Sequence, residues 1–508
     1  MDIATQNWTT FAILLAAIGI LVWGFRRSQP YGKVGILAWL QSVTLMAPWL
    51  LFFGLLAFGI ALNIATILLI FLLCTGIYIL LGRQVRQMRN TQQSPTPPQA
   101  QPSEWRRSED SPATSESSTS EESFRAPETE PASQQQPTGI PSEELQIIQG
   151  IFGIDTFFAT ETIPYQEGAI FRGNLRSDPE TAYQSLSANL QKQMGDRYRL
   201  FLVNDRENKP VAIVLPSKND PQPLSTGQKV LAGVLLLATL ATSVEAFGFI
   251  MGFDVFQNPN RLNEVWPLAV GLWLILGVHE VVHQILAKRR GVKMSFPFFI
   301  PALQLGSFGA LNRFTSLLPN RQVLFDVAFA GPVAGGVTSL AMLILGFLLS
   351  QEGSLFQIPS EFFQGSILVG TIAKVTLGSA LQQSVVDIHP LVPIGWLGLV
   401  ITALNLLPAG QLDGGRIVQA IYGRKIANRT TVATIIFLGI ASFFNVLALY
   451  WAILILLLQR NLERPCQNDL SEPNDASAAL TLLLLFLALA TLLPLTPSVA
   501  GRLGIGAM

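Results

Sequence analysis

Long apolar stretches recur along the sequence, and each is long enough, or nearly so, to cross a lipid bilayer. A membrane-spanning helix needs roughly 20 predominantly apolar residues. About nine stretches meet or approach this requirement: residues 11–25, 34–58, 59–81, 230–251, 265–287, 323–349, 391–407, 432–458 and 478–493. The composition, 50% hydrophobic and 13% charged, agrees with them. We therefore predict a polytopic α-helical membrane protein with about nine transmembrane helices.

The charged residues are few and balanced, 33 basic against 33 acidic, which gives no reason to expect a nucleic-acid partner. Basic residues instead mark one side of the membrane. Arg26 and Arg27 follow the first apolar stretch, and Lys288 follows the stretch 265–287. By the positive-inside rule these ends face the cytoplasm, or the stroma of a plastid. Because the charge follows the first stretch, we expect a retained anchor and not a signal peptide.

The composition divides the chain into four regions. Residues 1–90 carry the N-terminal transmembrane helices, and residues 91–142, rich in Gln, Ser, Pro, Thr and Glu, predict a disordered linker. Residues 143–220 show helical and strand patterns in the order α-β-β-α-β-β, which predicts a small soluble α+β domain. Residues 221–508 form the predicted membrane-embedded domain.

The apolar stretch 265–287 contains His279, Glu280 and His283. Residues four apart lie on one face of a helix, so both imidazoles can point at one metal ion with Glu280 beside them. Such a short pattern also occurs by chance, but ionisable groups are costly in hydrocarbon and indicate function there. At 1.5 Å per residue, His283 lies roughly 7.5 Å and His279 roughly 13.5 Å along the axis from Lys288. We predict a metal site inside the bilayer, toward the cytoplasmic or stromal face.

Residues 296–310 are apolar but cannot form an ordinary spanning helix, because two prolines and two glycines interrupt them. Non-helical backbone at membrane depth persists only where protein buries it or where it lines water. A surface loop is the simpler alternative. We predict a re-entrant hairpin beside the active site, with a backbone edge that could pair with an extended substrate strand.

A catalytic zinc ion takes three protein ligands and a water, so the two histidines leave one ligand missing. Asp413 is the candidate, because Pro408, Gly410 and the pair Gly414 and Gly415 would open the helix around it. An aspartate that merely caps a helix is the alternative. It would explain the glycines, but it would leave the metal without an anionic ligand.

Two motifs together resemble the site-2 protease family of intramembrane zinc metalloproteases: His279-Glu280-x-x-His283 and Asn405-x-x-Pro408-x-x-x-x-Asp413-Gly414. The long linker, the sequence Gly173-Asn174-Leu175-Arg176 and a third histidine, His389, are similar to its cyanobacterial and chloroplast branch. No PDZ-like module separates the two motifs, so the substrate gating of bacterial members does not transfer.

The resemblance implies that His279, His283 and Asp413 bind Zn²⁺ and that Glu280 is the general base. It also implies that Asn405 stabilises the developing oxyanion, which suits an amide donor. His389 precedes the helix that carries Asn405, and at 1.5 Å per residue it lies roughly 24 Å from Asn405. We therefore expect a loop histidine rather than a ligand.

The predicted function is an intramembrane zinc endopeptidase that cleaves a transmembrane segment of a membrane protein, with the lipid bilayer as its surroundings. The predicted location is a cyanobacterial plasma or thylakoid membrane, or a plastid membrane. Two alternatives stay open: a catalytically silent membrane chaperone or assembly factor, and a prenyl-protein type membrane protease, which would want a glutamate as third ligand. A transporter would also have broken helices. The substrate and the oligomeric state do not follow from the sequence.

Overall fold

The computed structural model describes residues 24–57, then residues 70, 74, 77, 78, 81, 82, 84 and 88, and finally residues 140–505 except 166, 206, 444 and 460. The predicted transmembrane stretches 11–25 and 59–81 and the predicted linker 91–142 lie wholly or mostly outside the described residues. They stay predictions.

The chain forms two compact units, residues 1–134 with 442–446, and residues 135–441 with 447–508. The described part of the first unit contains helix α1 (Gly32–Ala57), a helix of 26 residues with Pro48 inside it. This helix covers almost all of the predicted stretch 34–58.

The second unit begins with a domain of helices and strands, in the element order that the sequence predicts. Its elements are α2 (Ser142–Gln149), β1 (Phe157–Tyr165), β2 (Gly168–Leu175), α3 (Pro179–Met194), β3 (Tyr198–Asn204) and β4 (Pro210–Pro216). The strands form one antiparallel sheet in the order β1-β2-β4-β3. Phe157, Phe171 and Leu186 are fully buried between this sheet and the helices. Strand β1 lies at the edge of the sheet and includes Pro164, which an edge strand tolerates.

The remaining helices of the second unit follow in chain order: α4 (Thr226–Ile250), α5 (Leu262–Arg289), α6 (Arg321–Leu348), α7 (Ile367–Leu377), α8 (Leu391–Asn405), α9 (Asp413–Ala441), α10 (Val446–Leu454), α11 (Asp475–Leu492) and α12 (Pro497–Leu503). Within the described residues, α4, α5, α6 and α11 are the 4 helices long and apolar enough to cross a membrane. Helices α7, α8 and α10 are shorter and apolar. The predicted total of about nine transmembrane helices stays a prediction.

Polar residues at the helix starts explain where these long apolar elements begin. Ser225 and Gln228 form a capping box at the start of α4. The side chain of Asn320 accepts a hydrogen bond of 3.0 Å from the backbone N–H of Val323 at the start of α6. Asn474 caps α11 in the same way. Each cap satisfies a backbone donor that the helix leaves free.

Helices α5, α6 and α8 pack closely at the centre of the unit. Small residues permit this approach, since a Cβ atom added at Gly395 of α8 would lie 2.6 Å from the backbone oxygen of Ser339 of α6. A Cβ atom at Gly398 would lie 2.4 Å from the Ser339 hydroxyl. The backbones of α6 and α8 therefore leave no room for larger side chains at these positions.

The hairpin predicted at residues 296–310 is confirmed. It consists of β5 (Phe298–Ala302) and β6 (Gly306–Leu311), paired antiparallel from Phe298 opposite Leu311 to Ala302 opposite Gly306. The hairpin packs against α4, where the Thr242 hydroxyl donates a hydrogen bond of 2.7 Å to the backbone oxygen of Gly306. Its position in a membrane stays a prediction.

One sequence prediction about local structure is wrong. The stretch 432–458 is not one helix, because α9 ends at Ala441 and α10 begins at Val446. Ser442 and Asn445 lie between them, and side chains of this kind compete with the helical backbone for hydrogen bonds. Strand β7 (Phe356–Pro359) pairs with β8 (Val385–Ile388). The two short strands are distant in sequence, so no local pattern reveals their pairing.

Candidate active site

The two histidines of the site lie one turn apart on α5. Their ring centroids are 4.9 Å apart, and both side chains are buried. The Nδ1 atom of His283 lies 2.7 Å from the backbone oxygen of Val327 in α6. Because a carbonyl only accepts, Nδ1 carries the proton and Nε2 presents a lone pair, which is the arrangement of a metal-ligating histidine.

Two glycines of α6 make room for these rings. A Cβ atom at Gly331 would lie 2.1 Å from Nε2 of His283, and one at Gly335 would lie 3.0 Å from Nδ1 of His279. Any side chain at Gly331 would occupy the space beside the ligand atom. The close approach of α6 therefore depends on these two positions.

Asp413 is the first residue of α9 and follows a tight loop of residues 406–412. Its Oδ2 atom lies 3.2 Å from Nε2 of His279 and 3.4 Å from Nε2 of His283. A Cβ atom at Gly414 would lie 1.9 Å from the backbone oxygen of Leu406, so only glycine permits the loop to close this tightly. The loop turns the Asp413 carboxylate toward the histidines.

These three side chains fit a zinc ion. Their ligand atoms are separated by 3.2, 3.2 and 3.4 Å. Ligand atoms bound at 2.0–2.1 Å in tetrahedral geometry lie about 3.3 Å from one another. In the part of the chain that the structure describes, His279, His283 and Asp413 form the one group of at least three potential metal ligands with this proximity. A nitrogen–nitrogen–carboxylate set is typical of zinc.

Glu280 lies beside this group and is also buried. Its Oε1 atom is 3.9 Å from Nε2 of His279. Its Oε2 atom accepts a hydrogen bond of 2.9 Å from the side-chain amide of Asn312. One carboxylate oxygen is therefore held by Asn312, while the other faces the ligand atoms.

Asn405, the last residue of α8, lies against strand β6 of the hairpin. A Cβ atom at Gly309 would lie 2.4 Å from Nδ2 of Asn405. The same Nδ2 donates a hydrogen bond of 3.1 Å to the backbone oxygen of Ile401, one turn earlier in α8. The side-chain amide of Asn405 is therefore hydrogen-bonded to its own helix, at the point where the hairpin meets α8.

His389 lies in the turn between β8 and α8, outside the group of ligand atoms. Its backbone N–H donates to the Ser350 hydroxyl at 2.9 Å, and its Nδ1 accepts from the backbone N–H of Leu391 at 3.3 Å. Both contacts hold the turn. This agrees with the expectation of a loop histidine.

Three further residues of the site have no role that the sequence motifs predict: Asn312, Arg416 and Glu463. Arg416 donates to the side-chain oxygen of Asn312 at 2.8 Å and to the Glu463 carboxylate at 3.0 Å. One signal was available: Arg416 follows Asp413 by three positions, one helical turn, so it had to lie on the same face of α9. Asn312 and Glu463 give no comparable signal in the sequence.

The comparisons with known proteins cover the five predicted site residues. Residues 267–446 match the family model described as peptidase family M50, and residues 146–223 match the model described as the EGY3 middle domain. The protein named "Probable zinc metalloprotease EGY2, chloroplastic" from Arabidopsis thaliana is 38% identical over 364 residues, 70% of this chain and 65% of that protein. "Probable zinc metalloprotease EGY1, chloroplastic" from the same plant is 37% identical over 404 residues, 72% of this chain and 74% of that protein.

A third relative, "Probable zinc metallopeptidase EGY3, chloroplastic" from Arabidopsis thaliana, is 32% identical over 377 residues, 69% of this chain and 65% of that protein. The chain therefore spans about two thirds of the length of two of these three relatives. No solved structure matches the chain. On the strength of these relatives and of a family model that spans all five predicted site residues, the chain belongs to peptidase family M50, the site-2 protease family.

Proposed function

We propose that this protein is a zinc endopeptidase that cleaves a transmembrane segment of another membrane protein. The observation that carries the proposal is the convergence of His279, His283 and Asp413 at tetrahedral spacing, with the Glu280 carboxylate beside them. The group is buried, and its two histidines lie on a helix long enough to cross a membrane. Membership of family M50 and the names of the relatives support the same reaction.

The proposed chemistry assigns one task to each side chain. His279, His283 and Asp413 hold Zn²⁺. When bound, Zn²⁺ lowers the pKa of a water to about 7 and polarises the peptide carbonyl. Glu280 accepts the proton of the attacking water and delivers it to the leaving amine.

Asn405 is the proposed donor to the oxyanion. Its amide now donates to the Ile401 carbonyl, so it has to turn from its own helix toward the substrate during the reaction. Amide donors aimed at a developing negative charge are a common means of stabilising such a transition state. The contact between Asn405 and Gly309 places this donor beside the hairpin.

The hairpin is the proposed binding surface for the segment to be cut. A helical substrate shields its peptide bonds with internal hydrogen bonds, so it must unwind before hydrolysis. In the described residues β5 and β6 pair only with each other, so backbone groups on an outer edge can pair with an extended strand. Such pairing would present an unwound substrate next to Asn405.

We place the site toward the cytoplasmic or stromal side of the membrane. The basic residues Lys288, Arg289 and Arg290 follow His283 within two turns at the end of α5. The named relatives are described as chloroplastic, which supports a plastid membrane. A cyanobacterial plasma or thylakoid membrane is the other proposed location.

The test is Glu280→Gln in purified protein, assayed on a mixture of single-span transmembrane peptides in detergent with products identified by mass spectrometry. We expect about one bound zinc per chain and a loss of cleavage, because the amide cannot accept the proton. Glu264→Gln is the matched control, since Glu264 is an exposed carboxylate in the first turn of the same helix. Cleavage by Glu280→Gln at the wild-type rate would overturn the proposal, as would a purified wild-type protein that binds no zinc.

A further inference from the structure

We propose that Arg416 is a positioning residue for the general base: held by Glu463, it orients Asn312, and Asn312 holds the Glu280 carboxylate in place. This inference rests on the proposed function, because it assumes that Glu280 acts in hydrolysis. It concerns three side chains to which neither the sequence motifs nor the family membership gives a role.

Asn312 contacts the Glu280 carboxylate directly. Asn312 follows directly after strand β6, and its side-chain amide donates to Oε2 of Glu280 at 2.9 Å. A glutamate side chain has three rotatable bonds, so an isolated carboxylate would sample several positions. The hydrogen bond selects the position in which Oε1 faces His279.

Arg416 fixes the orientation of the Asn312 amide. Arg416 donates to the side-chain oxygen of Asn312 at 2.8 Å and to its backbone oxygen at 2.6 Å. A guanidinium group has donors only, so the amide oxygen must face Arg416 and the NH₂ group must face Glu280. Without Arg416 the amide could turn over and present its oxygen to a carboxylate, which would repel it.

Glu463 and Phe314 in turn hold the Arg416 side chain in place. Arg416 is 1% exposed, and a buried guanidinium group needs a counter-charge and partners for its N–H groups. The Glu463 carboxylate accepts from Nε at 3.0 Å and lies 2.9 Å from Nη2. The Cζ atom of Arg416 lies over the ring of Phe314, 5.0 Å from its centroid. These contacts leave Arg416 one conformation.

Glu463 lies between α10 and α11, on a segment that backbone hydrogen bonds hold in place. Five residues on, Asn468 lies between strand β3 of the α+β domain and the chain just before α6. On one side, the backbone N–H of Leu202 donates to the oxygen of Gln467 at 2.7 Å. On the other, the N–H of Asn468 donates to the oxygen of Pro319 at 2.9 Å. The segment that carries Glu463 is therefore hydrogen-bonded to both the α+β domain and the helical part of the unit.

A second role for Arg416 has to be separated from this one. Its Nη1 atom also lies 4.0 Å from Oδ1 of Asp413, a proposed zinc ligand. If Arg416 served only to hold Asp413, its loss would weaken zinc binding. If it acts through Asn312 on Glu280, its loss lowers kcat while zinc binding and KM stay near their wild-type values.

The experiment uses the full-length protein and transmembrane peptides that the wild type cleaves. The variants are Arg416→Gln, Asn312→Asp and the double variant. Asn312→Asp keeps acceptor oxygens for Arg416, removes the donor to Glu280 and places a second carboxylate against it. We expect each single variant to lower kcat about 100-fold, the scale of a misplacement of about 1 Å in a catalytic group. KM should change less than about threefold, and the double variant should be no worse than the poorer single variant.

Two measurements besides activity accompany the kinetics. Zinc content should stay at about one per chain, and the visible absorption spectrum of the Co²⁺-substituted protein should keep its wild-type ligand bands. Arg429→Gln is the matched control, because Arg429 is an exposed arginine within α9 that contacts neither Asn312 nor Glu463 among the described hydrogen bonds. It should retain wild-type kcat.

The outcomes separate the two proposals. If wild-type cleavage does not depend on Glu280, both the proposed function and this inference fail. If cleavage depends on Glu280 but Asn312→Asp and Arg416→Gln keep wild-type kcat, the inference alone fails. It also fails if the variants lose zinc in proportion to activity, or if their effects on kcat multiply in the double variant. Should Arg416→Gln not accumulate, Asn312→Asp with Glu463→Gln decides by the same criteria.

Discussion

The Oδ2 atom of Asp413 lies 3.2 Å from Nε2 of His279, although 134 positions separate the two residues in the chain. The contact joins the start of α9 to α5 and is made possible by the tight loop before Gly414 and Gly415. A Cβ atom at Gly415 would lie 2.4 Å from the backbone oxygen of Gly410. The third ligand therefore depends on loop geometry as much as on carboxylate chemistry.

Asp413→Ala should abolish stoichiometric zinc binding. Loss of a partner that merely supports a ligand costs about 10- to 100-fold in affinity, and loss of a ligand should cost at least as much. Metal content after dialysis against competing chelator measures the effect. Asp475→Ala is the control, because Asp475 is an exposed aspartate in the first turn of another long helix. Full zinc affinity in Asp413→Ala would remove Asp413 from the ligand set.

Gly331→Ala should also abolish zinc binding, although glycine is no ligand. The new methyl group would lie 2.1 Å from Nε2 of His283, so either the ring or the whole of α6 must move. Overpacking of this kind costs about 1–3 kcal/mol. Zinc content and the temperature of unfolding measure the change.

Gly336→Ala is the matched substitution on the same helix. Its Cβ atom would meet its first neighbour, Cγ2 of Thr402, at 3.7 Å, an ordinary van der Waals distance. It should keep zinc and stability. Equal zinc loss in the two variants would mean that α6 tolerates no change at all, and the specific role of Gly331 would be wrong.

Removal of zinc should lower the temperature of unfolding. A ligand that binds only the folded state at about 100 times its dissociation constant stabilises that state by about 2.7 kcal/mol. His283→Ala should show no difference between zinc-loaded and chelator-treated samples. Glu280→Gln should keep the full difference, because Glu280 is proposed as a base and not as a ligand. A loss of the difference in Glu280→Gln would contradict that assignment.

The sequence predicts those parts of the site that helical periodicity controls. His279 and His283 share a face of α5 because they are four residues apart, and the structure places their rings one turn apart. Asp413 followed from the number of ligands that zinc requires, and the glycines around it indicated the loop. The hairpin followed from prolines and glycines in an apolar stretch.

Contacts between distant segments are the part that the sequence does not reveal. Asn312 and Arg416 are 104 positions apart, and Arg416 and Glu463 are 47 apart. Asn312 follows β6, Arg416 lies on α9 and Glu463 lies between α10 and α11. The packing that brings these segments together leaves no periodic trace in a single sequence. For the same reason the sequence does not reveal the pairing of β7 with β8.

Gly309→Ala should lower kcat without loss of zinc. The Cβ atom would lie 2.4 Å from Nδ2 of Asn405, and the backbone at Gly309, with φ +93, is strained for any other residue. The substitution therefore displaces the proposed oxyanion donor, whose loss costs about 10²- to 10³-fold in kcat in related sites. Gly353→Ala is the control, since Gly353 has φ +83 and open space around its Cβ position. Wild-type kcat in Gly309→Ala would contradict the role of this contact.

The thiol of Cys466 should report whether the segment that carries Glu463 stays docked on the α+β domain. Cys466 is fully buried, and burial raises its pKa well above the ordinary value of 9.0. A thiol with a raised pKa holds less thiolate at any given pH, so alkylation in the folded protein is slow. The folded thiol also keeps its proton where the unfolded thiol has lost it, so stability falls as the pH rises above about 9.

Asn468→Ala should speed the alkylation of Cys466 at pH 8.5 about 10-fold, the equilibrium shift that a loss of about 1.4 kcal/mol produces. The Asn468 amide donates to the backbone oxygen of Pro179 at 3.2 Å and to the Glu180 carboxylate at 3.1 Å, and both contacts tie the segment to α3. The measurement uses iodoacetamide in a Cys74→Ser background, so that one thiol is followed. Asn258→Ala, a change in the loop between α4 and α5, should leave the rate unaltered. If kcat falls as the alkylation rate rises, the α+β domain acts on the general base through Glu463. An unchanged alkylation rate in Asn468→Ala would contradict the docking role of Asn468.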